Sequence, residues 1–155
     1  MTDTAQTLAD LVEGARFAML TSTDAAGGLV SRPMTIQEID GNDLLFITQA
    51  STDVAQQSDG RAVNLAIVED SRWVSIAGTG KVAEEPETKR RLWDAANDAF
   101  TQGGADNPDN VVLRVSADSA EYWDSPGGLA IVFDIVKAKV TGETPHSGDH
   151  GTVEL

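Results

Sequence analysis

Between residues 15 and 85 the chain runs as short apolar segments of strand length, most of them closed by a tight-turn signal. That pattern narrows the fold most, because such runs bounded by glycine and aspartate favour antiparallel strands in a meander. ARFAMLTST, residues 15–23, is followed by DAAGG, residues 24–28, whose two glycines accept positive φ. LVSRPMTIQEI, residues 29–39, alternates at Val30, Met34 and Ile36. Pro33 lies inside it and predicts an edge strand or a bulge, since proline has no N–H for a ladder. DGND, residues 40–43, is a turn, and LLFITQ after it is a short buried strand. RAVNLAIVE, residues 61–69, and RWVSIAGTGKVAEE, residues 72–85, continue the series, with Gly78 and Gly80 permitting a bend or bulge. VVLRVSADSAEYWDS is a further strand ending in aromatic residues.

Helices fill the intervals. Leu8, Leu11 and Val12 recur at helical spacing and Gly14 is a natural stop. The polar stretch from Ser51 to Gly60 suits a short helix capped by Ser51 or Thr52. Pro86 opens a helix through about Phe100, with Leu92, Trp93, Ala96 and Phe100 on one face. LAIVFDIVKAKVTGE fits an amphipathic strand or a helix, and periodicity does not separate the two. One domain over 1–144 is expected, followed by a flexible tail over 145–155.

Composition removes several function classes. The 155 residues hold 25 acids and 11 bases, a formal charge of −14. Nucleic acid and anionic membrane surfaces both demand basic footprints, so neither is an expected partner. There is no cysteine, which excludes disulfides, thiolate metal sites and a cysteine nucleophile. No apolar run approaches a membrane span and the N-terminus lacks a signal-peptide pattern, so a soluble cytoplasmic protein is expected.

Few residues carry obvious chemistry. His146 and His150 stand four apart, a metal clamp only if that segment were helical, and Gly148 and Gly151 oppose a helix. No metal site is expected. No nucleophile elbow, P-loop or dinucleotide fingerprint is present. Among the scarce cations, Arg32 sits within a strand, where a solvated or paired charge is the ordinary role and an anion-facing guanidinium the functional one. Arg61 is a second candidate cation. Thr48 could donate a hydroxyl hydrogen bond, and Trp73, Trp93 and Trp123 suit a core or an interface.

Taken in order, AMLTSTDAAGGLVSRPMTIQEIDGNDLLFITQ, RAVNLAIVEDSRWVSIAGTGKV and VVLRVSADSAEYWDSPGG resemble the general-stress-protein branch of the pyridoxamine 5′-phosphate oxidase-like flavin-binding proteins. The resemblance runs from about residue 15 to residue 142; its most specific parts are Ser31-Arg32-Pro33-Met34 and Ala120-Glu121-Tyr122-Trp123-Asp124. It implies a mainly β, α+β fold: an antiparallel split β-barrel with flanking helices, assembled as a homodimer with FMN at the subunit interface. On that resemblance Arg32 faces the phosphate–ribityl end, Met34 and Thr35 line the ring through backbone groups, and Pro33, between Arg32 and Met34, is a further cofactor-binding position. Thr48 and Gln49 lie near the phosphate or ring. Ser51 and Asp53 occupy the phosphate loop, Trp73 comes from the other subunit, and Trp123 is a further candidate. Asp53 stands where the family usually carries a lysine on the phosphate, and Gln37 where the oxidases proper often carry one. Exchanging a cation for an anion beside a dianion weakens binding.

Two functions follow. One is an FMN-dependent oxidoreductase of unknown substrate, related to stress, with no side chain identified as its acid or base. The other is a non-catalytic binding or stress protein on the same barrel that has lost tight FMN binding through Asp53. A deazaflavin or haem is a related option for which no specific residue speaks.

Overall fold

A computed structural model of the chain describes residues 4–69, 71–124 and 149–155. The elements in order are α1 (Thr4–Leu11), β1 (Phe17–Thr23), β2 (Leu29–Thr35), β3 (Glu38–Asp40), β4 (Asp43–Gln49), α2 (Asp53–Ser58), β5 (Ala62–Glu69), β6 (Arg72–Ala83), α3 (Pro86–Leu92), α4 (Ala95–Phe100), β7 (Asn110–Asp124) and β8 (Asp149–Glu154). One antiparallel sheet runs in the order β2-β1-β5-β6-β7-β4-β3. Among the described residues its two ends do not pair, so the barrel is split, and β2 faces β4 across the gap.

Strand alternation puts the core on one side. Ala18, Leu20, Val63, Leu65, Ile67, Val74 and Ile76 point inward with Leu44, Phe46, Leu113 and Val115, and Leu8 and Leu11 of α1 and Val12 just after it pack against them. β7 is long enough to pair β6 along one edge, while its other edge takes β4 first and β8 afterwards. Gly78 marks a register shift against β7, where a Cβ would stand 2.5 Å from the Ser116 carbonyl oxygen.

Pro33 lies on edge strand β2, as its missing donor requires. The ladder shows why it is tolerated there. Ile36 N–H donates to the Arg16 carbonyl and Asp24 N–H to the Gly28 carbonyl, so residues of even number on β2 bond to β1. Pro33 falls on the odd positions, whose backbone groups point away from β1.

Three expectations need correction. The segment 29–39 is two strands, because the chain leaves β1 after Ile36, and Gln37 N–H is taken by the Leu45 carbonyl. The helix expected over 86–100 is two helices. Asp94 is extended at φ −141° and its carboxylate accepts from Asn97 N–H, so a capping side chain starts α4 anew. Residues 149–154 of the expected loose tail form β8, since the second half of β7 has a free edge to pair. Residues 145–148 and the segment LAIVFDIVKAKVTGE lie outside the described residues. Asp94→Ala should cost about 1 kcal/mol, read from a urea unfolding midpoint; an unchanged midpoint would show the cap to be idle.

Ion pairs clamp the α3–α4 unit to the sheet. Arg114 on β7 donates to both carboxylate oxygens of Glu85 at 2.7 and 2.9 Å, and reaches Asp40 and Asp43 at 3.3 and 3.4 Å. Arg91 forks onto Glu38 at 2.8 and 2.9 Å. Glu85 holds a left-handed φ of 40°, costing about 1 kcal/mol that the bidentate pair helps offset. The Arg114 hydrogen bonds hold the Glu85 carboxyl below its ordinary value of 4.5 against a smaller opposing push from burial, and Arg91 does the same for Glu38.

A carboxylate depressed in the folded state contributes stability above its ordinary pKa and loses it as pH falls through the lowered value. Arg114→Gln is therefore expected to lose about 1–2 kcal/mol near neutral pH. The difference from wild type should narrow as pH drops below 4.5 and Glu85 protonates. Unfolding midpoints taken across pH test this, and a difference constant into acid would refute it.

Candidate functional site

A groove of about 360 Å³ occupies the gap between β2 and β4. Phe17, Pro33, Met34 and Ile47 supply apolar walls; Thr35, Gln37, Thr48, Gln49 and Thr52 supply neutral polar groups, with Asn97 and Thr101 from the α4 end. The groove follows from the edge position of β2. Among the described residues no strand lies beyond β2, so the outward carbonyl of Pro33 and the outward N–H and carbonyl of Thr35 have no ladder partner there. These are the groups a flat heterocycle with its own donors and acceptors would satisfy.

The polar lining is held in place. Thr52 Oγ1 donates to the Gln49 carbonyl at 2.6 Å and lies 3.4 Å from Thr48 Oγ1. Asn97 is buried; its Oδ1 accepts from Gln37 Nε2 at 3.3 Å and its Nδ2 donates to the Leu92 carbonyl at 3.4 Å. Thr101 donates its hydroxyl to the Asn97 carbonyl. The clamp on α3 thus fixes the groove floor through Leu92, Asp94 and Asn97.

Of the residues expected at the site, Pro33, Met34, Thr35, Thr48 and Gln49 come together here. The others go elsewhere within one chain. Arg32 Nη1 donates to Ser22 Oγ at 2.6 Å, Val30 O at 3.3 Å and Leu20 O at 3.4 Å, and Nη2 to Gln57 Oε1 at 3.4 Å. Ser51 is drawn out of the loop by Asp109, which accepts its hydroxyl at 2.9 Å and its N–H at 3.1 Å. Asp53 is exposed in the first turn of α2 and does not cap it; Thr52 is the N-cap residue, without a side-chain cap bond. Trp73 and Trp123 oppose each other across β6 and β7, at the end of β7 remote from Thr48.

Thr52, Asn97, Thr101, Phe17 and Ile47 line the groove without having been expected at the site. Phe17 carried one signal: it is an aromatic at an outward position of β1 and is 57% exposed. Asn97 and Thr101 carried none, because a helix distant in sequence brings them in. His146 lies outside the described residues. His150 sits in β8 opposite Trp123, and an extended backbone excludes the helical clamp. Among the described residues no group of three or more His, Cys, Asp or Glu could hold a metal, and no helix is long and apolar enough to cross a membrane.

The groove accommodates one part of a flavin mononucleotide better than the other. Apolar walls, amides, hydroxyls and unpaired backbone groups suit the ring and its polyol chain. None of the eleven lining residues is a lysine or arginine, so the lining itself offers a terminal phosphate no cation.

Comparison with known proteins agrees with this architecture. A family model described as pyridoxamine 5′-phosphate oxidase like matches residues 3–146. No curated protein matches the sequence. A protein of Jannaschia sp. CCS1 provisionally named general stress protein 26 is 28% identical, with all of both chains covered and a TM-score of 0.76. A general stress FMN/FAD binding protein of Xanthomonas citri is 25% identical over 83% of this chain and 93% of its own, with a TM-score of 0.68. An F420 reductase shares the fold at 19% identity over 72% of this chain and 94% of its own, with a TM-score of 0.57.

Proposed function

Because this chain belongs to the pyridoxamine 5′-phosphate oxidase-like family, we propose that it is a flavin-dependent oxidoreductase that holds FMN in the groove between β2 and β4 of a homodimer. The observation that carries this reading is the groove itself. It sits at an edge strand, with apolar walls and with backbone groups on Pro33 and Thr35 that no described strand pairs. The likeness to an FMN/FAD binding stress protein supports the choice of ligand.

A bound flavin supplies hydride and single-electron chemistry. The chain's own part is to bind and orient. Pro33, Met34 and Ile47 give the ring an apolar slot, and the Thr35 backbone and the Gln37 and Asn97 amides offer hydrogen bonds at its rim. Thr48, Gln49 and Thr52 offer hydroxyls and an amide to the polyol chain. Exclusion of water falls to a second copy. Phe17, Met19, Val68, Trp73 and Trp123 are large apolar side chains left exposed, and Phe17 belongs to the groove as well, so this apolar surface and the groove are continuous.

The test is the visible spectrum of the purified protein, followed by titration of the stripped protein with FMN. Flavin bands or saturable quenching at micromolar FMN are expected. Colourless protein with no binding at high micromolar FMN would defeat the proposal. In that case the alternative, a binding or stress protein without flavin on the same barrel, takes its place; Asp53 in the first turn of α2 is the observation in its favour.

A further inference from the structure

We infer that this groove selects a flavin by its ring and polyol chain and is indifferent to the phosphate, so that riboflavin, FMN and larger flavins carrying more at the same end bind nearly alike. The inference rests on the flavin reading above and concerns which part of the ligand that site recognises.

Three observations carry it. First, the lining is uncharged throughout: its polar groups are threonines, glutamines and an asparagine. Second, most cations of the described residues that have charged or buried partners are held away from the lining, and Arg16, exposed beside Phe17, lies over that ring at 5.6 Å from its centroid without being a lining residue itself. Arg72, Arg90, Arg91 and Arg114 face carboxylates, and Lys89 is buried with its Nζ on the Asn107 and Asn110 carbonyls. Arg32 adjoins Pro33 in sequence, yet its guanidinium makes four hydrogen bonds to β1, β2 and α2. To reach a phosphate it would have to give up the 2.6 Å bond to Ser22. Third, Thr52 lines the groove and the next residue is Asp53, exposed in the first turn of α2. An anion therefore follows directly on a lining residue.

The long-range field acts in the same direction. A chain of net charge −14 repels a dianion and leaves neutral riboflavin unaffected. Salt screens that repulsion. A site built around a phosphate cation loses FMN affinity as salt rises, whereas this one gains it. The sign of the salt dependence thus separates the two designs without reference to absolute affinity.

The experiment is fluorescence titration of the stripped full-length protein with riboflavin and with FMN, at about 10 mM and about 300 mM salt. The two dissociation constants should agree within about threefold at the higher salt, with FMN tightening and riboflavin unmoved on going from low to high salt. Asp53→Lys should improve FMN binding about tenfold, leave riboflavin unchanged and reverse the sign of the salt effect. Arg32→Gln should shift both flavins by the same factor, because its bonds are structural. FMN binding more than about thirtyfold tighter than riboflavin and weakening with salt would overturn the inference while leaving the flavin reading intact. So would loss of FMN binding alone in Arg32→Gln. Failure of both ligands to bind would instead remove the flavin reading.

Discussion

Gly80→Ala is expected to lower stability by about 3 kcal/mol, enough to leave a marginal domain largely unfolded near its working temperature. Gly80 lies on the inner side of β6, and a Cβ there would stand 2.2 Å from the Ser58 carbonyl oxygen and 2.9 Å from its carbon. Both are backbone atoms at the end of α2, so no rotamer change relieves the contact. Gly80 also donates its N–H to the Arg61 carbonyl at 3.0 Å and accepts from Gly60 N–H at 2.8 Å. A methyl group must therefore push α2 off the sheet, and Thr52 at the start of α2 moves with it. Gly41 is the control. Its φ is +61° but a Cβ there meets nothing within 4 Å, so Gly41→Ala should cost only about 1 kcal/mol of backbone strain. Urea unfolding of the two variants checks the argument, and a Gly80→Ala protein within 1 kcal/mol of wild type would refute the close approach.

Trp73→Glu is expected to convert the proposed dimer to a monomer and to weaken flavin binding about a hundredfold. Trp73 is 42% exposed, with Val68 in register on β5 and Trp123 in register on β7. A carboxylate in that row would have to be desolvated if a second copy covered it, at a cost of several kcal/mol. Within one chain the residue is far from the groove, so an effect on the flavin has to pass through the partner. Light scattering gives the assembly state and titration the affinity. A monomeric variant with unchanged affinity would show that one chain completes the site. A variant that remains dimeric would place the interface elsewhere.

The strand plan was legible because period-two alternation and turn glycines are local signals. Pro33 announced an edge before any partner strand was known, since its missing N–H admits few positions. The breaks were less legible. Gln37 leaves the β2 line to meet Leu45, and the side chain of Asp94 restarts a helix; both outcomes depend on which hydrogen bond wins in three dimensions. The tail followed the same logic: nothing in 149–154 demanded a strand until β7 offered an edge.

The site divided along similar lines. Pro33, Met34, Thr35, Thr48 and Gln49 were readable as neighbours through the resemblance of two short segments. Ser51 and Arg32 were readable only as candidates, because a polar side chain takes the best acceptor within reach. For Ser51 that was Asp109, fifty-eight positions away, and for Arg32 it was Ser22 and Gln57.

By itself the sequence determined the class of fold, through the spacing of apolar residues and turns, and the scarcity of positive charge, which is a matter of counting. Tertiary structure alone decided where that scarcity falls. Packing brings Asn97 and Thr101 under β2 and β4, and carboxylates capture most of the described arginines. An uncharged groove results, because side-chain hydrogen bonds and ion pairs form between residues that only the folded chain makes neighbours.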